Sequence, residues 1–140
     1  MMKKEIKSDA EWEKILTPEQ FKILRKKGTE IAGSCSLLHN KDKGVYSCVA
    51  CGNKLFKSSG KFESGTGWPS FTEPYNKESL EYKEDNSLFM KRTEILCAKC
   101  DGHLGHVFPD GPPPTFKRYC INGVILKFKK DEPKKKGKTK

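Results

Sequence analysis

The sequence predicts a small, mainly β domain of antiparallel strands, with two short helices at its N-terminal end and a four-cysteine clamp. Three observations predict it. Two helix-capping signatures open the chain, and Gly28 closes the second helical pattern. After Gly28 come short apolar segments punctuated by turn residues, with none of the β-α-β alternation of a parallel sheet. Two C-x-x-C hooks, Cys48-Val49-Ala50-Cys51 and Cys97-Ala98-Lys99-Cys100, stand 45 residues apart.

The first helix is expected over 8–16. Ser8 with Glu11 three residues later forms a capping box, and Trp12, Ile15 and Leu16 fall on one face. The second begins at Thr17, with Pro18 in the first helical position and Gln20 completing the box. Phe21 and Leu24 form its buried stripe, and Arg25, Lys26 and Lys27 occupy the last turn, where the helix dipole favours cations. Strands are expected at 45–48, 54–56, 81–82, 88–97, 119–121 and 123–128. Two segments rich in Gly and Pro, 64–71 (SGTGWPSF) and 103–114 (HLGHVFPDGPPP), read as stiff loops, and a stiff loop carrying Trp or His suits a binding site.

The chain has 140 residues, enough for one domain with a modest core, and is 34% hydrophobic and 33% charged. A core this thin is a reason to expect a metal clamp. The formal net charge of +10 raises a nucleic-acid reading, but its distribution lowers it again. Residues 129–140 hold seven Lys against Asp131 and Glu132, while the remaining charge is spread out and no aromatics interleave with a basic stripe. The domain is therefore placed at 1–128, followed by a basic, disordered tail at 129–140. No stretch is long or apolar enough to span a membrane, and acidic residues interrupt the start where a signal peptide would be apolar. The cytosol is the default compartment, where six cysteines favour metal binding and catalysis over structural disulfides.

The hooks can supply the four thiolates of a tetrahedral zinc site at Cys48, Cys51, Cys97 and Cys100. Redox dithiols or a disulfide framework are the alternative, which the matched pattern and the lack of any mark of secretion disfavour. That leaves Cys35 and Cys120. Cys120 follows Arg118-Tyr119; a guanidinium two residues away on an extended strand favours thiolate, whereas a buried Cys would be inert. His103 and His106 are left free to move protons once four thiolates fill a metal shell. Trp68 is either core or the wall of a site. This set suits thiol-based redox or acyl-transfer chemistry; no orienting Asn/Asp motif favours a cysteine hydrolase.

Gly28-Thr29-Glu30, Leu38-His39-Asn40, the two hooks, SGTGWPSF at 64–71, HLGHVFPDGP at 103–112 and RYCIN at 118–122 occur in this order. From about Thr17 to Phe128 the chain resembles the methionine-R-sulfoxide reductase (MsrB) family. The resemblance implies two antiparallel sheets with short N-terminal helices, one structural Zn²⁺ on Cys48, Cys51, Cys97 and Cys100, and Cys120 as catalytic nucleophile. It implies that Trp68, His103, His106, Arg118 and Asn122 line the active site. The implied substrate is the R epimer of methionine sulfoxide, preferably within oxidised proteins, each epimer having its own enzyme. Some family members carry a resolving cysteine where this chain has Thr66. Cys35 is the remaining candidate for that role, with thioredoxin or a similar dithiol as reductant. A monomer is expected, with no membrane or nucleic-acid partner.

Overall fold

A computed structural model describes residues 4–31, 33, 37–86 and 91–131. Two helices, α1 (Asp9–Ile15) and α2 (Pro18–Lys26), precede nine strands: β1 (Gly44–Cys48), β2 (Lys54–Lys57), β3 (Lys61–Phe62), β4 (Ser70–Phe71), β5 (Leu80–Asp85), β6 (Arg92–Cys97), β7 (His103–Phe108), β8 (Arg118–Ile121) and β9 (Leu126–Lys130). They form a three-stranded sheet ordered β2-β1-β9 and a six-stranded sheet ordered β3-β4-β8-β7-β6-β5. Every pairing is antiparallel.

Both helix starts form as their sequences dictate. The Ser8 and Thr17 hydroxyls accept the N–H of Glu11 and Gln20, whose side chains accept the N–H of Ser8 and Thr17 in return. Trp12 and Leu16 are buried, but Ile15 is exposed. The helix is only seven residues long, and its contact face is too narrow for three apolar residues. On α2 the fully buried residues are Ile23 and Leu24, with Phe21 packed at the margin.

The two sheets are joined by aromatic side chains. Phe56 stacks on Phe71 at 4.3 Å between ring centroids, Tyr46 meets the edge of Phe71 at 5.2 Å, and Tyr119 meets Phe56 at 5.9 Å. These rings come from β1 and β2 on one side and β4 and β8 on the other, so their burial holds the sheets face to face.

Three expectations change. The segment 103–114 is not loop throughout: its first half is β7, an interior strand, because pairing with β6 and β8 on both sides overrides its glycine and histidines. The expected strand at 123–128 is a 3₁₀ turn at Gly123–Ile125 followed by β9. β9 runs to Lys130, two residues past the expected boundary, because Lys129 and Lys130 pair through their backbones with Val45 and Gly44. Residues 88–90 of the expected strand at 88–97, Cys35, and most of the basic tail (132–140) lie outside the described residues.

Candidate active site

Cys120 sits on β8, an interior strand bonded to β4 on one side and β7 on the other. Directly opposite it are Ser70 on β4 and His106 on β7, and His106 in turn faces Glu94 on β6. Residues opposite one another in a ladder share a face, so Cys120, His106 and Glu94 form one row. His103 lies three positions before His106, and a regular strand would put it on the other face. The register slips between Ile95 and Leu96, leaving Leu104 as an extra residue on β7. This bulge turns His103 toward His106, with ring centroids 5.5 Å apart. Gly105 follows the bulge, where a Cβ would lie 2.0 Å from the Cys120 carbonyl oxygen. Only glycine lets β7 and β8 approach this closely.

Each histidine is held by a carboxylate. His103 Nδ1 lies 2.6 Å from Glu94 Oε2, with both side chains buried. His106 Nε2 lies 2.8 Å from Asp85 Oδ2, and Arg92 stands 3.4 Å from the same oxygen. A carboxylate oxygen only accepts, so the proton on each contact belongs to the ring nitrogen. The histidines are therefore anchored through opposite nitrogens, leaving Nε2 of His103 and Nδ1 of His106 for other partners. Burial pushes the His103 imidazole below its ordinary range, although Glu94 pulls it up.

These groups line a cavity of about 460 Å³ that also includes Trp68, Phe108 and Asn122. Trp68 is half-buried, and its Nε1 donates to the Glu30 carbonyl at 3.0 Å. Glu30 is buried and ties the site together. Its Oε2 and Oε1 accept the N–H of Gly123 and Val124, and its own N–H donates to Asn122 Oδ1. Asn122 donates from both its backbone N–H and its Nδ2 to the Leu104 carbonyl, pinning the bulge from β8's end. Arg118 lies over Phe108 at 4.3 Å and makes two bonds to Asp110, Nε to Oδ1 at 2.8 Å and an NH₂ group to Oδ2 at 3.2 Å. Burial pushes the Cys120 thiol up; the Thr66 hydroxyl and the Arg118 charge pull it back, Glu30 adds to burial, and the net is upward. The arginine thus acts in the expected direction and is outweighed.

The two hooks occupy matching hairpin turns, β1–β2 and β6–β7. Cys48 and Cys97 end their strands, and their carbonyls accept from Gly52 and Asp101, both in the left-handed conformation. The four sulfur atoms lie within 4.8 Å of one another, with Cys48–Cys100 at 3.8 Å and Cys51–Cys97 at 3.5 Å. Sulfurs about 2.3 Å from the centre of a tetrahedron stand about 3.8 Å apart, so the set fits a tetrahedral four-thiolate metal centre. Such crowding separates the thiols electrically: hydrogen bonds from Cys100, Cys48 and Cys51 push Cys97 far down, while the same cluster pushes Cys48 far up. A divalent cation relieves that conflict.

The SelR domain family matches residues 16–130. The chain belongs to this family, the MsrB family. Among similar proteins, the peptide methionine sulfoxide reductase MsrB of Methanosarcina barkeri is 57% identical over 96% of this chain and 94% of its own length. That of Leptospira interrogans is 58% identical over 89% and 95%. The mitochondrial methionine-R-sulfoxide reductase B2 of Rattus norvegicus is 50% identical over 90% of this chain and 76% of its own.

In this MsrB-family chain the structure brings Cys120, His103, His106, Trp68 and Asn122 around one cavity, with Arg118 at its edge against Phe108. Cys35 lies outside the described residues; Gly33, two residues before it, donates to the Gly67 carbonyl at 2.7 Å, in the loop that carries Trp68. Sequence reasoning did not assign site roles to Glu94, Asp85 or Glu30. A Glu or Asp on a short strand reads as solvent-facing; strand register alone sets Glu94 against the histidines.

Proposed function

We propose that this chain is a peptide-methionine (R)-S-oxide reductase using Cys120 as nucleophile. The observation that carries the reading is a cysteine fixed on an interior strand, open to a cavity beside two carboxylate-anchored histidines and the half-buried ring of Trp68. The methyl group of the substrate packs on Trp68, a surface that suits sulfur-bound methyls. Separate positions for methyl, oxygen and the rest of the side chain distinguish one epimer from the other.

The Cys120 proton passes to a histidine nitrogen as the sulfur attacks the sulfoxide sulfur, and it ends on the sulfoxide oxygen, so that an S–S bond to Cys120 forms while the S–O bond loses its double-bond character. That S–S bond and the S–O bond of the substrate then break as the oxygen moves to Cys120, and an S–O bond to Cys120 forms. Methionine is reduced by two electrons, and Cys120 is oxidised by two to a sulfenic acid. A second thiol then displaces water to give a disulfide, and a dithiol reductant opens it. Cys35 is our candidate for the second thiol, and a thioredoxin-like protein for the reductant. Because burial keeps resting Cys120 a thiol, the histidines are needed as proton carriers and Arg118 as a source of positive field.

The four-thiol centre is assigned to zinc. Four sulfurs in tetrahedral array suit that ion, and a filled shell leaves no position for substrate, so its role is to hold the two hairpins together. Among the described residues no helix is long and apolar enough to cross a membrane. The use of cysteines for metal binding and catalysis suits a reducing compartment, and we assign the chain to the cytosol, acting as a monomer on oxidised proteins.

The test is turnover of a methionine-R-sulfoxide peptide with dithiothreitol. Wild type reduces the R epimer and leaves the S epimer, and Cys120→Ser reduces neither while keeping its metal content. Substantial turnover in Cys120→Ser overturns the mechanism.

A further inference from the structure

One wall of the cavity is not used by the chemistry above. Lys27 is the C-cap of α2 and is held in the left-handed conformation, φ 59° and ψ 34°. That conformation costs roughly 1–2 kcal/mol for a side chain with a Cβ, and the next residue, Gly28, which would bear it without that cost, does not carry it. The strained backbone places the Lys27 ammonium 3.2 Å from Glu94 Oε1. Glu94 is 1% exposed and its other oxygen holds His103. Among the described residues, Oε1 has no hydrogen-bond donor, and Lys27 is the cation paired with it. Lys27 and His103 border both the main cavity and a cleft of about 340 Å³ beside it.

Resting on the reductase reading, we propose that Lys27 is a positioning residue: its ammonium neutralises buried Glu94, which holds His103 through Nδ1–H and leaves Nε2 bare toward the cavity to take the Cys120 proton. A buried carboxylate without another cation favours the charged, doubly protonated form of a base that it touches. Here the neighbour is His103, and a doubly protonated His103 can no longer accept. The other charged or titratable groups facing His103 are His106 on β7, Cys120 on β8, Asp85 and Lys83 on β5, Arg92 on β6, Arg25 on α2 and Asp101 in the β6–β7 turn. Arg25 is bonded to the Cys100 carbonyl, Arg92 is paired with Asp85 and Lys83 is exposed on the edge strand β5, and among the described residues Lys27 is the cation paired with Glu94. Burial and the Lys27 charge both hold His103 down while Glu94 holds it up. Removing Lys27 therefore moves its titration upward.

The experiment is ¹⁵N NMR of the histidine side chains in the substrate-free protein across pH, with the pH profile of kcat/KM beside it. Lys27→Asn removes the charge with a residue that tolerates the left-handed backbone; Lys27→Arg keeps the charge. In wild type, His103 Nε2 is unprotonated at neutral pH. In Lys27→Asn the His103 midpoint rises by about one pH unit, the low end for loss of a nearby charge. The acid limb of kcat/KM rises with it, and Lys27→Arg restores both. A protonated Nε2 in wild type, an unmoved midpoint in Lys27→Asn, or an equal rise in Lys27→Arg overturns the proposal. Because the NMR readout needs no substrate, failure of the reductase reading shows separately, as absence of turnover in wild type.

Discussion

Replacing Gly105 by Ala tests the coupling between the close approach of two strands and the candidate chemistry. The added Cβ would stand 2.0 Å from the Cys120 carbonyl oxygen, 3.0 Å from its carbonyl carbon and 3.1 Å from Ile121 Cα. All three are backbone atoms, so no side chain can swing aside. The gap must widen from 2.0 Å to the 3.4 Å of ordinary contact. Overpacking of this kind costs about 1–3 kcal/mol, and stretching one or two bonds of the β7–β8 ladder adds about 1 kcal/mol each. The expected total of about 2–5 kcal/mol corresponds to a fall in Tm of about 6–15 °C for a domain of this size. The same widening separates Cys120 from His106, its partner across the ladder. A displacement near 1 Å at a reacting group costs about 100-fold in rate. Gly60→Ala is the control: its nearest neighbour is the Thr72 hydroxyl at 3.3 Å, a side-chain atom able to yield. Thermal melts with zinc analysis and reductase assays measure both effects. A Gly105→Ala protein melting within about 2 °C of Gly60→Ala, with equal turnover, refutes the reasoning.

Three other outcomes are expected. Metal analysis of protein never exposed to chelator finds about one zinc per chain, and Cys97→Ser loses the metal and melts lower, since metal binding is coupled to folding. Glu30→Gln keeps the shape but sets an amide NH₂ against one of the two backbone N–H groups of Gly123 and Val124; one orphaned donor costs about 1–3 kcal/mol, read as a lower Tm together with weaker turnover as Trp68 and Asn122 loosen. Cys35→Ser retains turnover with dithiothreitol and loses most of it with thioredoxin; undiminished thioredoxin-driven turnover would assign the donor directly to the Cys120 sulfenic acid.

What the sequence discloses about this protein is what local chemistry decides. Ser8 and Thr17 cap their helices with partners three residues away, and each hook closes within one turn, so both are legible without the fold. β7 is not. Its His-Leu-Gly-His pattern has neither strand alternation nor apolar bulk, and it becomes a strand because two neighbours supply its hydrogen bonds. The bulge at Leu104 escapes for the same reason, and with it the fact that both histidines share a face. Glu94 escapes because strand register alone reveals a carboxylate aimed inward. Cys120 and Trp68 were legible as candidates, while the carboxylates that orient the histidines needed the cross-strand partners.

The placement of Cys120 between β4 and β8's other neighbour, β7, sets who must travel. A sulfur on a strand bonded along both edges is a stationary target. It cannot swing out to meet a reductant, as a cysteine on a surface loop can. Among the described residues Cys120 borders the one cavity described above, and a molecule that changes its oxidation state through that cavity is filtered by size. A small oxidant passes as easily as a methionine side chain, whereas a folded protein donor can present its thiol only if that thiol protrudes or if an intermediary carries the electrons inward. Immobility of the nucleophile thus shifts the demand for motion onto the chain segments around the mouth, and leaves the sheet beneath free to be rigid.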